Sequence, residues 1–479
     1  MTTRGQSAVP QDLSWTAAAL AAAYRNKALT PVEVADDVAR RVAAAESLGA
    51  YISFDPVRAR TEAEASARRF DRGEPLGPLD GVPIGFKDNI DVAGAVTTGG
   101  TPGLRRHRPP ESAPLAGRLF AAGAIFAGKL NLHELAGGGT TDNPTFGRVA
   151  NTYRRQAIPG GSSGGSAVAV VARIIPIALG SDTAGSIRNP AHYCGAVGFK
   201  PSLKRYPAAG VVPLSYGLDC VGPIAHTVAD VIACDAVMAA DPTPVTPAEL
   251  KGLRLGVPKT PFQDNLHRDV RRQFDFALDV LDRAGVALIE AEIDGLSDDV
   301  AALGLITLGG SFRDDLTQYL SQSRAEVSAD DVFGQIADPF VRGWAEPFYR
   351  PSDEVKAQFS AALPRWRRMK AAYAEYLVAH RLAAIVFPTA PIPAGDPVAD
   401  PNDVVIDGET IKGGVWLNVR NAQPGSLWGA PGLSLPMGQT ASGLPLGLEL
   451  DAAVGADKTL LSIAQSVEML MPRLPPPPA

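Results

Sequence analysis

The chain is short of cysteine, of long apolar runs and of any excess of one charge, and each shortage closes off a class of function. Cys194, Cys220 and Cys234 are its three cysteines in 479 residues, with no C-x-x-C pair and no histidine at zinc-ligand spacing. That excludes a disulfide scaffold and a structural zinc site, and it fits reduced, buried thiols in a cytoplasmic protein. The most apolar stretch, Ala167 to Leu179, is broken by Arg173 and Pro176 and is too short to span a membrane. The alanine-rich segment at Ala17–Tyr24 sits inside a longer helical pattern and does not read as a secretory signal. A net charge of −6 argues against a dominant nucleic-acid or anionic-membrane surface. The run Arg105–Arg108 reads as a solvated loop and the proline-rich ending from Leu474 as a frayed tail.

What is present is an alternation of strand and helix patterns. Thr30 as N-cap, Pro31 at the first helical position and Glu33 closing a capping box predict a helix carrying Val32, Val34, Val38 and Val42. A second helix is expected over about Pro56–Arg72, stopped by Gly73. Next come the strand "GVPIGFKDNI", the helix "SAPLAGRLFAAG", the strand "AIFAGKLN", the helix "SAVAVVA" and the strand "IIPIALGSD", then a short helix opening near Ser186. The pattern resumes after Lys251 and closes with the strands "AAIVFPTAP" and "GLPLGLELD" and the helix "KTLLSIAQSVEML". This predicts one α/β domain over residues 1–479: N-terminal helices over about 12–75, a core over about 80–240, and a helical insertion over about 298–380 lying over part of it, above the active site if the core carries one.

Two glycine–serine clusters frame the centre of that core, in "GGSSGGSAVAVVARIIPIALGSDTAGSIR" from Gly160 to Arg188. A flexible linker would lack the apolar segments that flank both clusters. A phosphate loop needs a Lys after its last glycine, and none follows Gly165; Ser162 occupies the middle glycine of a dinucleotide fingerprint. Gly161–Gly165 does match the G-x-S-x-G elbow with Ser163 as nucleophile, but "RRQAIPGG" is a poor strand and His226, His267 and His380 have no distinctive setting. The second cluster is the other candidate. A serine at 186 lies beside the backbone amides of Thr183, Ala184, Gly185 and itself, a row suited to an oxyanion hole for acyl transfer. A plain N-cap role for Ser186 is the competing explanation.

A serine nucleophile needs a base, and only His192 lies near the clusters. Lysine serves when deprotonated. In "GVPIGFKDNI" strand alternation puts Val82, Ile84 and Phe86 on one face and Pro83, Gly85 and Lys87 on the other, which makes Lys87 a candidate for burial and for a pKa lowered toward neutrality.

Together with "PGGSSGGSAVAV", "LGSDTAGSIRNPAHYCGAVGFKPS", "FPTAP" and "PGLSLPMG…GLPLGLELD", these residues make the chain resemble the amidase signature family of serine hydrolases over nearly its whole length. The resemblance implies an α/β fold with a large central mixed β-sheet, helices on both faces and a mostly helical insertion. It implies that Ser186 is the nucleophile, Ser162 a relaying serine held by a cis peptide, and Lys87 the base. Ser163 becomes support for the network, and Asp182 with Arg188 resembles the family's supporting ion pair. No metal or organic cofactor is implied. The implied partner is a small-molecule amide, with no nucleic acid and no membrane, and any assembly is expected to be a homodimer. "KLNLHELAGGGTTDNPTFGRV" and "VRNAQPGSLWGAPGLSLPMG" look most like indoleacetamide and mandelamide hydrolases, suggesting a primary amide on an aryl-bearing acyl group. Anilides, carbamates and biuret-like ureas are the alternative substrates, and an amidotransferase A-type subunit is the alternative enzyme. Gly137 stands where an aromatic is usual, which is expected to widen or reshape the acyl pocket, with Gly137 and Gly138 lining it. Ala184 replaces a glycine and takes a methyl's space beside the oxyanion turn. The His133–Glu134 pair lacks a second histidine at helical spacing and is expected to be a buried structural pair.

Overall fold

The computed structural model describes residues 9, 15–396, 402–406, 408–412 and 414–478. Among these, eleven strands form one mixed sheet. Its spatial order is Tyr51–Ser53, Ile125–Leu130, Pro83–Lys87, Ile177–Asp182, Cys220–Ala225, Val197–Lys200, Gly432–Gln439, Pro445–Ala452, Ala384–Pro388, Arg254–Gly256 and Ala287–Ile289. Pro83–Lys87 lies between two parallel partners, Ile125–Leu130 and Ile177–Asp182, and the latter pairs antiparallel with Cys220–Ala225. All five residues of Pro83–Lys87 are buried, as a parallel strand covered on both faces must be.

The two faces of that strand separate as its alternation requires. Ile84 and Phe86 join one core with Leu115 and Leu119 of helix Pro114–Ala121, Val228 and Val231 of Val228–Met238, and Leu460 of Asp457–Glu468. Gly85 faces the opposite layer, where an added Cβ would come within 2.6 Å of Ile175 and 2.7 Å of Leu130. That second core joins Ala167–Val171 of helix Gly164–Val171 to Leu20, Val34 and Val38 of the N-terminal helices. Helices therefore cover both faces of the sheet.

The N-terminal helices form as their caps dictate. Glu33 N–H donates to Thr30 Oγ1 at 3.2 Å while Glu33 Oε2 accepts from Thr30 N–H at 2.8 Å, opening helix Pro31–Ala44. Helix Pro56–Arg72 opens on Asp55 and stops at left-handed Gly73. The first positions of the expected N-terminal helical stretch, 12–14, lie outside the described residues. The segment expected to be mostly helical consists of Leu296–Gly309, Phe312–Gln322, Ala329–Gly334, Pro339–Tyr349 and the 27-residue Asp353–Ala379. It shares a core with Leu214, Phe387 and Trp428, and Tyr373 stacks on Trp428 at 3.8 Å.

The proline-rich ending is packed rather than frayed. Tyr153 Oη donates to Pro475 O at 2.9 Å, and the Leu474 side chain lies over Gly195. Ala479 itself is outside the described residues. Among the described residues no helix is long and apolar enough to cross a membrane. The three cysteines are free and buried.

Candidate active site

Strand pairing carries the Lys87 side chain to the end of its neighbour. Phe86 pairs with Leu179, so Lys87 falls level with Gly180 and its long side chain reaches Ser181, one residue further along the neighbouring strand. Lys87 Nζ lies 2.7 Å from Ser162 Oγ, 2.9 Å from Ser181 Oγ and 3.3 Å from Ser181 O. Asn89 Nδ2 donates to the same Ser181 hydroxyl at 3.0 Å. The amine is fully buried, and that burial lowers its pKa to about 7; the charges of Asp182 and Asp219 oppose a deeper fall. Near neutrality a large share of Lys87 is free amine, able to accept the Ser162 hydroxyl proton.

The first cluster is a tight loop ahead of helix Gly164–Val171. The Gly161–Ser162 peptide is cis, and Ser162 O accepts from His133 N–H at 3.1 Å. A Cβ on Gly161 would lie 2.7 Å from Gly139 C and Thr140 N, so the backbone strap 138–140 rests directly on this loop. Ser163 is a fastener. Its Oγ donates to Ser181 O at 3.1 Å and accepts from Ser181 N–H at 3.3 Å, and its amide donates to Ser186 O at 3.2 Å. The histidines that an elbow at Ser163 would need are engaged elsewhere. His267 caps helix Arg268–Arg283, His380 ends helix Asp353–Ala379, and His226 borders a distant surface groove. His192 accepts from Gly447 N–H at 2.8 Å, with its other nitrogen 3.1 Å from Ile392 O.

The second cluster follows strand Ile177–Asp182 as a short turn. The helix beyond it opens at Arg188, two residues past Ser186, and Ile187 rather than Ser186 occupies its cap. The N-cap explanation for Ser186 therefore fails. Its hydroxyl has no hydrogen-bond partner among the described residues, and the residue is 8% exposed, into a cavity. Asp182 braces the turn from beneath, accepting from Gly185 N–H at 2.7 Å and Ile187 N–H at 3.0 Å. Gly185 takes φ +116°, a conformation that favours glycine, and this aims its amide at Asp182. That corrects the expected oxyanion row. The Gly185 amide is committed inward, which leaves those of Thr183, Ala184 and Ser186 without an acceptor among the described residues. Arg188 in turn holds Asp182 at 3.0 Å and Glu449 at 2.6 Å, all three side chains fully buried. Burial alone would raise the Asp182 pKa, but Arg188 holds the carboxyl well below the usual range.

The cavity at Ser186 is narrow, about 50 Å³, and its walls are aromatic. Gly137, Gly138, Thr183 and Ala184 line it together with Leu308, Phe340, Trp344 and Trp416. The helical segment thus reaches the site through Leu308, Phe340 and Trp344. His133 and Glu134 tie it there. Glu134 Oε2 accepts from Ala337 N–H at 3.0 Å and Asp338 N–H at 2.6 Å, and His133 Nε2 lies 2.9 Å from Asp338 Oδ2. Gly138 is required by that pair, since a Cβ there would sit 2.2 Å from the His133 ring.

A buried Lys–Ser contact, a second serine facing an apolar cavity and open backbone amides beside it form a constellation for acyl transfer. Residues 33–461 match the amidase family. The chain is 38% identical over 445 residues to an indoleacetamide hydrolase of Agrobacterium vitis, covering 93% of this chain and 94% of that one. It is 35% identical to a mandelamide hydrolase of Pseudomonas putida, covering 95% and 91%. The crystal structure of a peptide amidase from Stenotrophomonas maltophilia superimposes with a TM-score of 0.84 at 29% identity, covering 96% and 98%. The chain belongs to the amidase family. It is an amide-hydrolysing enzyme.

Proposed function

We propose that this amidase hydrolyses the primary amide of an aryl-bearing acyl group to the acid and ammonia. Ser186 is the nucleophile, Ser162 the relay and Lys87 the base. The observation that carries this reading is the 2.7 Å contact between buried Lys87 Nζ and Ser162 Oγ, beside a Ser186 hydroxyl that has no partner among the described residues and faces a cavity with aromatic lining. Neutral Lys87 takes the Ser162 hydroxyl proton as Ser162 takes that of Ser186, and Ser186 Oγ adds to the amide carbonyl carbon. The amides of Thr183, Ala184 and Ser186 hold the oxyanion. Collapse breaks the C–N bond, and the proton returns through Ser162 to the departing nitrogen, which leaves as ammonia. Water then adds to the acyl-enzyme with Lys87 and Ser162 again moving the proton, and the acid is released.

The aryl preference rests on Phe340, Trp344 and Trp416 in the wall, and on the substrates named for the indoleacetamide and mandelamide relatives. We read the whole chain as one catalytic unit, because the helical segment supplies Leu308, Phe340 and Trp344 to the cavity lining. Three unpaired, buried thiols support a reducing cytoplasm as its compartment. The test is a panel of indole-3-acetamide, phenylacetamide, an anilide, a carbamate and a biuret with wild type and Ser186→Ala. Turnover of the aryl primary amides, lost in the variant, is expected. Turnover of the anilide or carbamate alone would leave the serine chemistry standing and remove the substrate assignment.

A further inference from the structure

A second cavity, about 400 Å³, lies against the same strand ends and shares no lining residue with the one at Ser186. Its size falls within the range of small-molecule sites, roughly 300–1,000 Å³. The floor is apolar and aromatic, built from Tyr206, Val211, Val221 and Tyr216. Two carboxylates line it, Asp219 and Asp315, and neither forms an ion pair among the described residues. Asp219 accepts from Thr183 Oγ1 at 2.6 Å, Leu214 N–H at 2.8 Å and Ser215 N–H at 3.0 Å. Asp315 accepts from Ser311 Oγ at 2.7 Å and Tyr216 N–H at 2.9 Å. The one lysine in the lining, Lys204, is solvent-exposed.

We propose that this cavity binds a small organic cation, a primary or secondary ammonium carried on a phenyl-sized apolar group. The ammonium sits between Asp219 and Asp315, and the apolar group lies on Tyr206, Val211 and Val221. Charge decides the class of ligand. An anion would meet two carboxylates at close range, and a neutral apolar molecule would strip water from both while returning no counter-charge. An ammonium supplies the missing partner, and the tyrosine rings favour a cation at their faces. A bare metal ion lacks ligands here, since no group of three or more His, Cys, Asp or Glu side chains suited to one occurs among the described residues.

The position gives the site a consequence. Asp219 holds Thr183, at the start of the oxyanion turn, and Ser181, also in the lining, holds Lys87 Nζ. An occupant therefore touches both halves of the catalytic centre at one remove. That consequence rests on the catalytic reading above; the binding does not.

Calorimetry of the full-length protein with phenethylammonium chloride at pH 7.5 tests the binding directly. One equivalent is expected to bind wild type, with affinity falling about tenfold or more in Asp315→Asn, which removes one of the two charges. Ala209→Trp, at an exposed position of the lining, is expected to block binding by filling the cavity. Both variants should retain basal amide hydrolysis within about twofold, because neither residue touches the Ser186 cavity. Phenylacetate, which carries the opposite charge, should neither bind there nor displace the amine. Failure of wild type to bind, wild-type affinity in both variants, or displacement of the amine by phenylacetate would each overturn the assignment.

Discussion

The indole Nε1 of Trp344 donates to Gly137 O at 2.9 Å, and its ring stands where a side chain at 137 would begin. A Cβ built on Gly137 would lie 2.9 Å from Trp344 Cζ2 and 3.2 Å from Val341 Cγ1. The missing side chain does not widen the pocket. An aromatic from the helical segment occupies that space, and the wall of the cavity is delivered from a part of the chain some 200 residues away.

Trp344 is therefore expected to limit the acyl group. Trp344→Ala should raise kcat/KM for a naphthylacetamide relative to phenylacetamide by about tenfold, the scale set by a few methylenes' worth of pocket. It should cost about 2 kcal/mol of stability, less than a fully buried tryptophan because Trp344 is half-buried. Gly137→Ala should push the indole outward and destabilise by about 1–3 kcal/mol. An unchanged substrate ratio in Trp344→Ala would remove this residue from the specificity wall.

That contact also marks where the sequence stopped being legible. The Lys87 side of the site could be read locally. Lys87 is buried because Gly85 and Lys87 share a strand face, and the glycines of the two serine loops announce close backbone approach. The partners of Lys87 beyond Ser162 could not be read, because Ser181 and Asn89 meet it only once the strands pair in parallel register. Central strand Cys220–Ala225 was hidden by Gly222 and Pro223, residues that ordinarily argue against such a position. Gly185 looked like an oxyanion donor until its positive φ turned the amide toward Asp182. Leu308, Phe340 and Trp344 carry no local signal, since any amphipathic helix shows apolar residues at that spacing.

Ser162, Ser163 and Ser186 separate the mechanism from its elbow rival. Ser186→Ala and Ser162→Ala are each expected to reduce kcat by about 10⁴-fold or more, as loss of members of a catalytic unit does. Ser163→Ala removes two hydrogen bonds to Ser181 and should cost about 1–2 kcal/mol while leaving turnover within about tenfold. Steady-state kinetics beside thermal melts read both effects. Abolition by Ser163→Ala with survival of Ser186→Ala would reverse the assignment.

Asp182 is expected to act through the turn it braces. Asp182→Asn keeps the shape but presents an amide nitrogen where an oxygen now accepts from Gly185, Ile187 or Arg188. It also leaves Arg188 with Glu449 as its remaining buried ion-pair partner. A stability loss of about 3–5 kcal/mol is expected from breaking the buried pair. In protein that remains folded at low temperature, kcat should fall more than KM rises, because the displaced amides matter most to the developing oxyanion. A change confined to KM would place Asp182 in substrate binding instead.

Lys87 gives a prediction that activity alone could not settle. With its pKa near 7, kcat/KM is expected to rise with pH through about 7 and then level off, as the amine loses its proton. The same group must leave a mark on stability. In the unfolded chain Lys87 titrates near 10.5, so between about pH 7 and 10.5 the unfolded state carries the extra proton. The folded state then pays a cost that is full below pH 7 and vanishes by about 10.5. Wild-type stability should therefore climb relative to Lys87→Met across that window, by about 1.4 kcal/mol per pH unit. Urea denaturation of both proteins at several pH values measures the difference, in which every other titrating group common to the two cancels. Lys87→Met should be inactive throughout. Parallel stability curves would mean that Lys87 keeps an ordinary pKa in the folded protein, and an ordinary lysine could not serve Ser162 as a base at neutral pH.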